Sequence, residues 1–127
     1  MRVVLVRHAE AAPGSPDELR ALTEQGHEQA RALGERLAAE GLRPDAVLSS
    51  PLLRARQTAE ALGLGEPEAD DRLAPGATAE SLRQAVAGRG ETVVVIGHQP
   101  DCGRIAAALT GGEEPPFPPA GFVIVEL

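Results

Sequence analysis

Two histidines and two arginines fall where they can act together on an anionic group. Arg7 and His8 follow the apolar run Val3-Val4-Leu5-Val6, Arg54 lies shortly after Ala46-Val47-Leu48, and His98 follows Val93-Val94-Val95-Ile96 by one glycine. Each run reads as a buried strand. Ligands in open α/β sheets bind outside the carboxyl ends of the strands, so the loop ends carrying these side chains can meet at one point. Transfer of a phosphoryl group to nitrogen needs a neutral imidazole in line with phosphorus and fixed positive charge on the nonbridging oxygens. Guanidinium stays charged at any working pH and grips phosphate with paired N–H bonds. Neighbouring cations favour a neutral His8, which predicts a pKa below the ordinary value of about 6.5. The pattern predicts a compact cationic pocket with a nucleophile inside it, suited to a phosphoryl group.

Composition narrows the classes. A chain of 127 residues supports one domain with a single core and is short for two. A formal net charge of -7 argues against a general nucleic-acid or anionic-membrane binder, which needs basic surface to displace counterions. A local basic pocket therefore stands out against an acidic background. There is no lysine, so every fixed side-chain cation is arginine. The single cysteine, Cys102, cannot form an intramolecular disulfide, and no Cys/His cluster has zinc spacing. The apolar run 3–6 is too short for a signal-peptide core or a membrane span, so a soluble cytoplasmic protein is expected.

The elements that must position these residues follow from periodicity and punctuation. Residues 2–6 read as a parallel strand. Residues 9–22 read as a loop broken by Pro13, Gly14, Ser15 and Pro16. Thr23 reads as an N-cap, with Ala30, Leu33, Leu37 and Ala38 at helical spacing until Gly41 and Pro44. A strand over 46–48 leads to Ser50, placed to cap, and Pro51, suited to the first helical position of a helix reaching Leu62. That arrangement puts Arg54 in the first turn, where free N–H groups and the helix dipole favour an anion. Residues 63–77 read as a loop, 79–87 as a helix and 92–96 as the strongest strand. After Gly97-His98-Gln99-Pro100 a fourth helix is expected to about Leu109. The proline tract 115–119 positions a last edge strand over 122–126. Alternating strands and helices predict an α/β fold, a mostly parallel sheet covered on both faces in three layers, with a core of Val, Leu, Ile and Ala.

These residues also carry a family resemblance. Val6-Arg7-His8-Ala9-Glu10-Ala11 is similar to the strand-Arg-His-Gly signature of the histidine phosphatase superfamily, with Ala9 where glycine is commonest. Leu22-Thr23-Glu24-Gln25-Gly26 with Gln29-Ala30 resembles that family's first-helix start. Ser49-Ser50-Pro51-Leu52-Leu53-Arg54-Ala55 with Gln57-Thr58-Ala59 resembles its second motif, and Gly97-His98 its third. Within the superfamily, whose fold is phosphoglycerate mutase-like, the chain looks most like the short branch of phosphohistidine phosphatases. The resemblance implies an antiparallel edge strand, His8 as the transiently phosphorylated nucleophile, and Arg7, Arg54 and His98 as ligands of the phosphoryl oxygens. Arg20 resembles a further arginine that the short branch offers to the pocket, with Asp17 its partner. The implied two-step scheme requires no metal or organic cofactor.

The proton donor has no clear equivalent. Glu10 is a candidate by closeness to His8, and Asp70, Asp71 and Glu80 are candidates by position between the second and third motifs. Imidazole leaves phosphorus more readily than an alkoxide does, so a phosphohistidine phosphatase manages with weaker acid catalysis. The short stretch between Arg54 and His98 leaves no insertion to form a lid. An open pocket suits a phosphorylated protein side chain, and the runner-up is a small phosphomonoester. A non-catalytic module binding phosphohistidine or phosphate is a third reading. A mutase lacks room for enclosing loops. His8-Ala9-Glu10 also fits half of the zinc deaminase signature, whose Pro-Cys-x-x-Cys half a single cysteine cannot supply. Among the remaining candidates, His27 and Arg56 read as exposed helix residues and Cys102 as a small buried one.

Overall fold

The computed structural model describes residues 1–127. Five strands, β1 (Arg2–Arg7), β2 (Ala46–Ser49), β3 (Pro67–Ala69), β4 (Thr92–Gly97) and β5 (Phe122–Glu126), form one sheet in the order β3-β2-β4-β1-β5. All neighbours are parallel except β5, which pairs antiparallel with β1 from the edge. Helices α1 (Glu24–Ala39) and α2 (Leu53–Leu62) cover one face, and α3 (Ala79–Val86) and α4 (Asp101–Thr110) the other. No helix is long and apolar enough to cross a membrane.

Strand alternation explains the layers. Val3, Leu5, Val93 and Val95 pack with Leu82, Val86, Ile105 and Phe117, while Val4, Val6, Val94 and Ile96 pack with Leu33, Leu37, Ala55 and Leu62. Both faces of β1 and β4 are therefore buried, which is why these strands read as unbroken apolar runs. Each fully buried Val or Leu side chain contributes about 1.5–3 kcal/mol.

The insertion of β4 between β2 and β1 positions the site. Arg7 is in register with Gly97, and Ser49 with Ile96, so the carboxyl ends of three adjacent strands lie side by side. The loops after β1 and β4 carry His8 and His98, and the first turn of α2, reached directly from β2, carries Arg54.

Several local expectations change. Helix α2 begins two residues later than Ser50-Pro51 suggests: Leu52 is its N-cap, and the Ser50 hydroxyl instead accepts the Leu52 N–H at 3.2 Å. This is a serine turn closed onto the first N–H available after proline. The 63–77 loop contains the edge strand β3 and a 3-10 turn over Asp71–Leu73 that buries Leu73. Pro67 at the first position of a rim strand masks that strand's signal. The 9–22 loop contains a 3-10 turn over Asp17–Leu19 and an Ala11–Leu22 bridge.

Two glycines let backbones meet. A Cβ on Gly26 of α1 would lie 2.1 Å from the Glu10 carbonyl oxygen, so this glycine seats the loop after His8 against the helix start. A Cβ on Gly34 would lie 1.9 Å from the Leu62 carbonyl oxygen at the α1–α2 crossing. Alanine raises helix propensity by about 1 kcal/mol, while overpacking against backbone that cannot rotate away costs about 1–3 kcal/mol or more. Gly34→Ala is therefore expected to lose about 2 kcal/mol of stability in urea unfolding. An unchanged or raised midpoint would contradict this close approach.

Candidate functional site

Arg7, His8, Arg20, Arg54 and His98 line one cavity of about 340 Å³, with Asp17, Asp101, Pro75, Gln99 and Pro100 completing its wall. A larger cavity of about 480 Å³ lies between α1 and residues 116–122, but its one charged group, Arg36, is stacked 5.2 Å from the Phe122 ring centroid. Convergent charge, not volume, distinguishes the first as the functional candidate.

The His8 ring is held by its own neighbour. Its Nδ1 lies 2.7 Å from the Ala9 carbonyl oxygen, which can only accept, so Nδ1 carries the proton and Nε2 keeps its lone pair. The Ala9 N–H in turn donates to Thr58 Oγ1 at 3.0 Å, and that hydroxyl donates to the Arg54 carbonyl at 2.8 Å. Thr58, fully buried on α2, thus ties the first motif to the second. Gln29 and Gln57 extend this frame by accepting the Glu10 and Leu22 N–H groups at 3.0 and 2.8 Å. Polar residues inside otherwise apolar helix faces were the available signal for these supports.

The guanidiniums are oriented from behind. Arg7 Nη1 donates to the Phe117 carbonyl at 3.0 Å, giving the proline tract a structural purpose that its composition did not reveal. Arg54, 7% exposed, donates from Nη1 to the Asp17 carbonyl at 2.9 Å and pairs through Nη2 with Asp17 Oδ2 at 3.2 Å. Arg20 Nη1 pairs with Asp17 Oδ1 at 3.1 Å. Both arginines hold the Asp17 carboxyl below the ordinary carboxylate range, Arg20 contributing most. Four buried side-chain polar atoms in the molecule have no hydrogen-bond partner, and three belong to this wall: Arg7 Nε, Arg54 Nε and His98 Nδ1. Unmet polar atoms gathered at one cavity, two of them guanidinium donors, are the mark of a site built for an anion.

Both imidazoles are biased toward neutrality. Burial lowers the His8 pKa most, with Arg54, Arg7 and Arg20 adding to it against the opposing bond to Ala9. The sequence reading named only the cations, and desolvation is the larger cause. His98, 5% exposed, is pushed down to about 4, chiefly by burial and then by His8 and Arg54; its ring centroid lies 5.2 Å from that of His8. The neutral forms persist as pH falls below 6.5, so the acid limb of kcat/KM is expected below pH 6.5. The same imbalance costs stability in acid, because the unfolded chain takes up protons there that the folded one refuses. His98 alone accounts for about 3 kcal/mol, absent above pH 6.5 and developed progressively as pH falls toward 4. An acid limb centred above 7 would contradict this electrostatic picture.

The acid candidates need correction. Glu10 does not line the cavity: its carboxylate accepts the Thr23 hydroxyl at 2.9 Å at the start of α1, because the chain turns there away from the sheet end. Asp70 is committed to Arg72 at 2.7 Å, and Asp71 and Glu80 are exposed outside the cavity. The carboxylate that sequence reasoning missed is Asp101, the first residue of α4, which lines the wall and accepts the Gly76 N–H at 2.8 Å. Its place directly after Pro100 was the usable signal. His27 is half-buried rather than exposed and lies away from this cavity; Arg56 is exposed. Cys102 is buried, its thiol pushed up to about 12 chiefly by burial. No cluster of three or more His, Cys, Asp or Glu side chains is arranged to hold a metal ion.

A cationic cavity at the carboxyl ends of adjacent parallel strands, with a tautomer-fixed imidazole in it, defines a phosphoryl-handling α/β protein. Residues 3–78 match the model of the histidine phosphatase superfamily (branch 1). The chain belongs to that superfamily, and its class, a histidine-type phosphatase, follows from the membership. It is 35% identical over 128 residues to phosphohistidine phosphatase SixA of Escherichia coli K12, covering 92% of this chain and 79% of that protein. It is 37% identical over 124 residues to an uncharacterized protein of Picosynechococcus, covering 89% and 75%. The fold superposes on the protein histidine phosphatase SixA complexed with tungstate with a TM-score of 0.90 at 30% identity, over 100% of this chain and 88% of that one.

Proposed function

We propose that residues 1–127 form one catalytic domain that hydrolyses phosphohistidine on a protein, through a phosphoenzyme on His8. The observation that carries the reading is the His8 ring, locked with Nδ1–H on the Ala9 carbonyl and Nε2 free in a cavity lined by Arg7, Arg20, Arg54 and His98. In the first step the Nε2 lone pair forms a bond to phosphorus as the substrate's P–N bond breaks, its electrons and one proton going to the departing imidazole. In the second, water attacks phosphorus, the P–Nε2 bond breaks, and inorganic phosphate leaves. The arginines and His98 bind the nonbridging oxygens throughout. Asp101, as the wall carboxyl not held by an arginine, replaces Glu10 as the group to shuttle the proton.

Two further points support a protein substrate. The exposed rim residues Pro75, Gln99 and Pro100 leave the cavity approachable by a side chain on a large partner. The relative named for phosphohistidine matches most of this chain, and the related structure holds tungstate, a tetrahedral oxyanion like phosphate. A cytoplasmic location belongs to the same reading, and cell fractionation tests it. The deciding experiment compares hydrolysis of a phosphohistidine-bearing protein with a panel of small phosphomonoesters at equal enzyme concentration, using His8→Ala as the blank. Preference for phosphohistidine is expected. Strong turnover of a small ester with none on phosphoprotein would move the substrate to the metabolites.

A further inference from the structure

Ser50 is fully buried at the end of β2, and its hydroxyl is the neighbour of His98: Oγ lies 2.8 Å from Nε2. Which atom carries the shared proton follows from counting. A serine hydroxyl has one hydrogen to give and two lone pairs to receive with. One lone pair takes the Leu52 N–H at 3.2 Å. If Nε2–H donated to the other, the Ser50 hydrogen would be left without an acceptor at a position sealed from water, because these are its only two partners. If Ser50 O–H donates to Nε2, every hydrogen-bonding valence facing Ser50 is met apart from one spare lone pair. We propose that Ser50 is a positioning residue that fixes His98 as the Nδ1–H tautomer, so that the imidazole offers a proton rather than a lone pair to an anionic oxygen in the cavity.

The rest of the site agrees. His98 lines the cavity and its Nδ1 has no protein partner, so in this tautomer the Nδ1 hydrogen is left for an anion there to accept. A neutral ring has one proton to place, and the depressed His98 pKa keeps it neutral at pH 7. In the other tautomer a lone pair would face phosphoryl oxygens, turning an attractive contact into a repulsive one. His8 and His98 would then share one tautomer for opposite purposes: Nδ1–H of His8 is spent on Ala9 to free Nε2, and Nε2 of His98 is spent on Ser50 to free Nδ1–H. The Ser50-Pro51 pair, which resembles a helix cap in sequence, supports this geometry because proline removes the nearer N–H and leaves Leu52 as the donor that polarises the hydroxyl.

The assignment rests on the anion-binding reading of the cavity, but its test does not depend on substrate. With three histidines in the chain, two-bond ¹H–¹⁵N correlation spectra of ¹⁵N-labelled wild-type protein at pH 7 resolve the tautomer of each ring. His98 is expected as Nδ1–H; an Nε2–H pattern overturns the proposal without any variant. Ser50→Ala is expected to shift His98 toward Nε2–H and lower kcat/KM by about 10- to 100-fold, and Ser50→Thr, which keeps the hydroxyl, to restore the wild-type tautomer. A Ser50→Ala protein that stays Nδ1–H overturns the proposal whether or not its rate falls. If the wild type shows Nδ1–H yet hydrolyses no phosphorylated substrate, the phosphatase reading fails while the tautomer assignment stands.

Discussion

Replacing His8 with alanine is expected to bring phosphohistidine hydrolysis down to the uncatalysed background, a fall of about 10⁴-fold or more. No other nucleophile is at hand. His98 lines the same cavity, but its Nε2 is occupied by Ser50, and Cys102 is buried with its thiol pushed up to about 12. The variant should fold, because His8 is only partly buried and its ring bond goes to the adjacent residue. A melting temperature within a few degrees of wild type would separate loss of chemistry from loss of structure. The wild type, quenched in alkali during turnover, should retain phosphate on His8, since a phosphoramidate survives base and is lost in acid. The variant should retain none. Wild-type rates in folded His8→Ala protein would remove His8 from the mechanism.

The second large effect belongs to Arg54. Truncation to alanine removes a charged, oriented donor from a low-dielectric site, which typically costs about 10²- to 10³-fold in rate. It also frees the Asp17 carbonyl and half of the Asp17 carboxylate, leaving Arg20 as that side chain's remaining cation. Lysine restores charge without the planar fork and cannot hold both Asp17 atoms, so Arg54→Lys is expected to recover only part of the loss. A further consequence follows from the imidazoles. Arg54 helps to lower the pKa of both His8 and His98, so its removal should move the acid limb of kcat/KM to higher pH. An unmoved acid limb, or an alanine variant within about threefold of wild type, would show that Arg54 faces Asp17 alone.

Much of the site was legible because its residues stand at punctuation. Arg7 and His8 end an apolar strand, His98 ends another, and Arg54 sits just inside a helix start, so strand and helix signals located them before any contact was known. All four line the cavity, and Arg20 joins them. Glu10 lies outside the cavity because two residues beyond His8 the chain has already turned toward the start of α1, where the Thr23 hydroxyl donates to its carboxylate. Closeness along the chain does not fix direction. Asp101 was overlooked because its one local signal, a helix start directly after Pro100, marks a position and not the cavity it faces.

By itself, the sequence determined the elements and which of them end in chemistry: periods of two and 3.6, caps, and Gly/Pro stops are properties of neighbouring residues, and the buried runs declare their strands. Only the tertiary structure decided that β4 lies between β2 and β1, since strand order is settled by long-range packing of helices on both faces. The same packing decided the hydrogen-bond directions. The Asp17–Arg54 pair spans 37 residues and the Ser50–His98 pair 48, separations over which no local pattern operates. The tautomers, the lowered histidine pKa values and the choice of wall carboxylates follow from burial, which exists only once the chain has closed around the site.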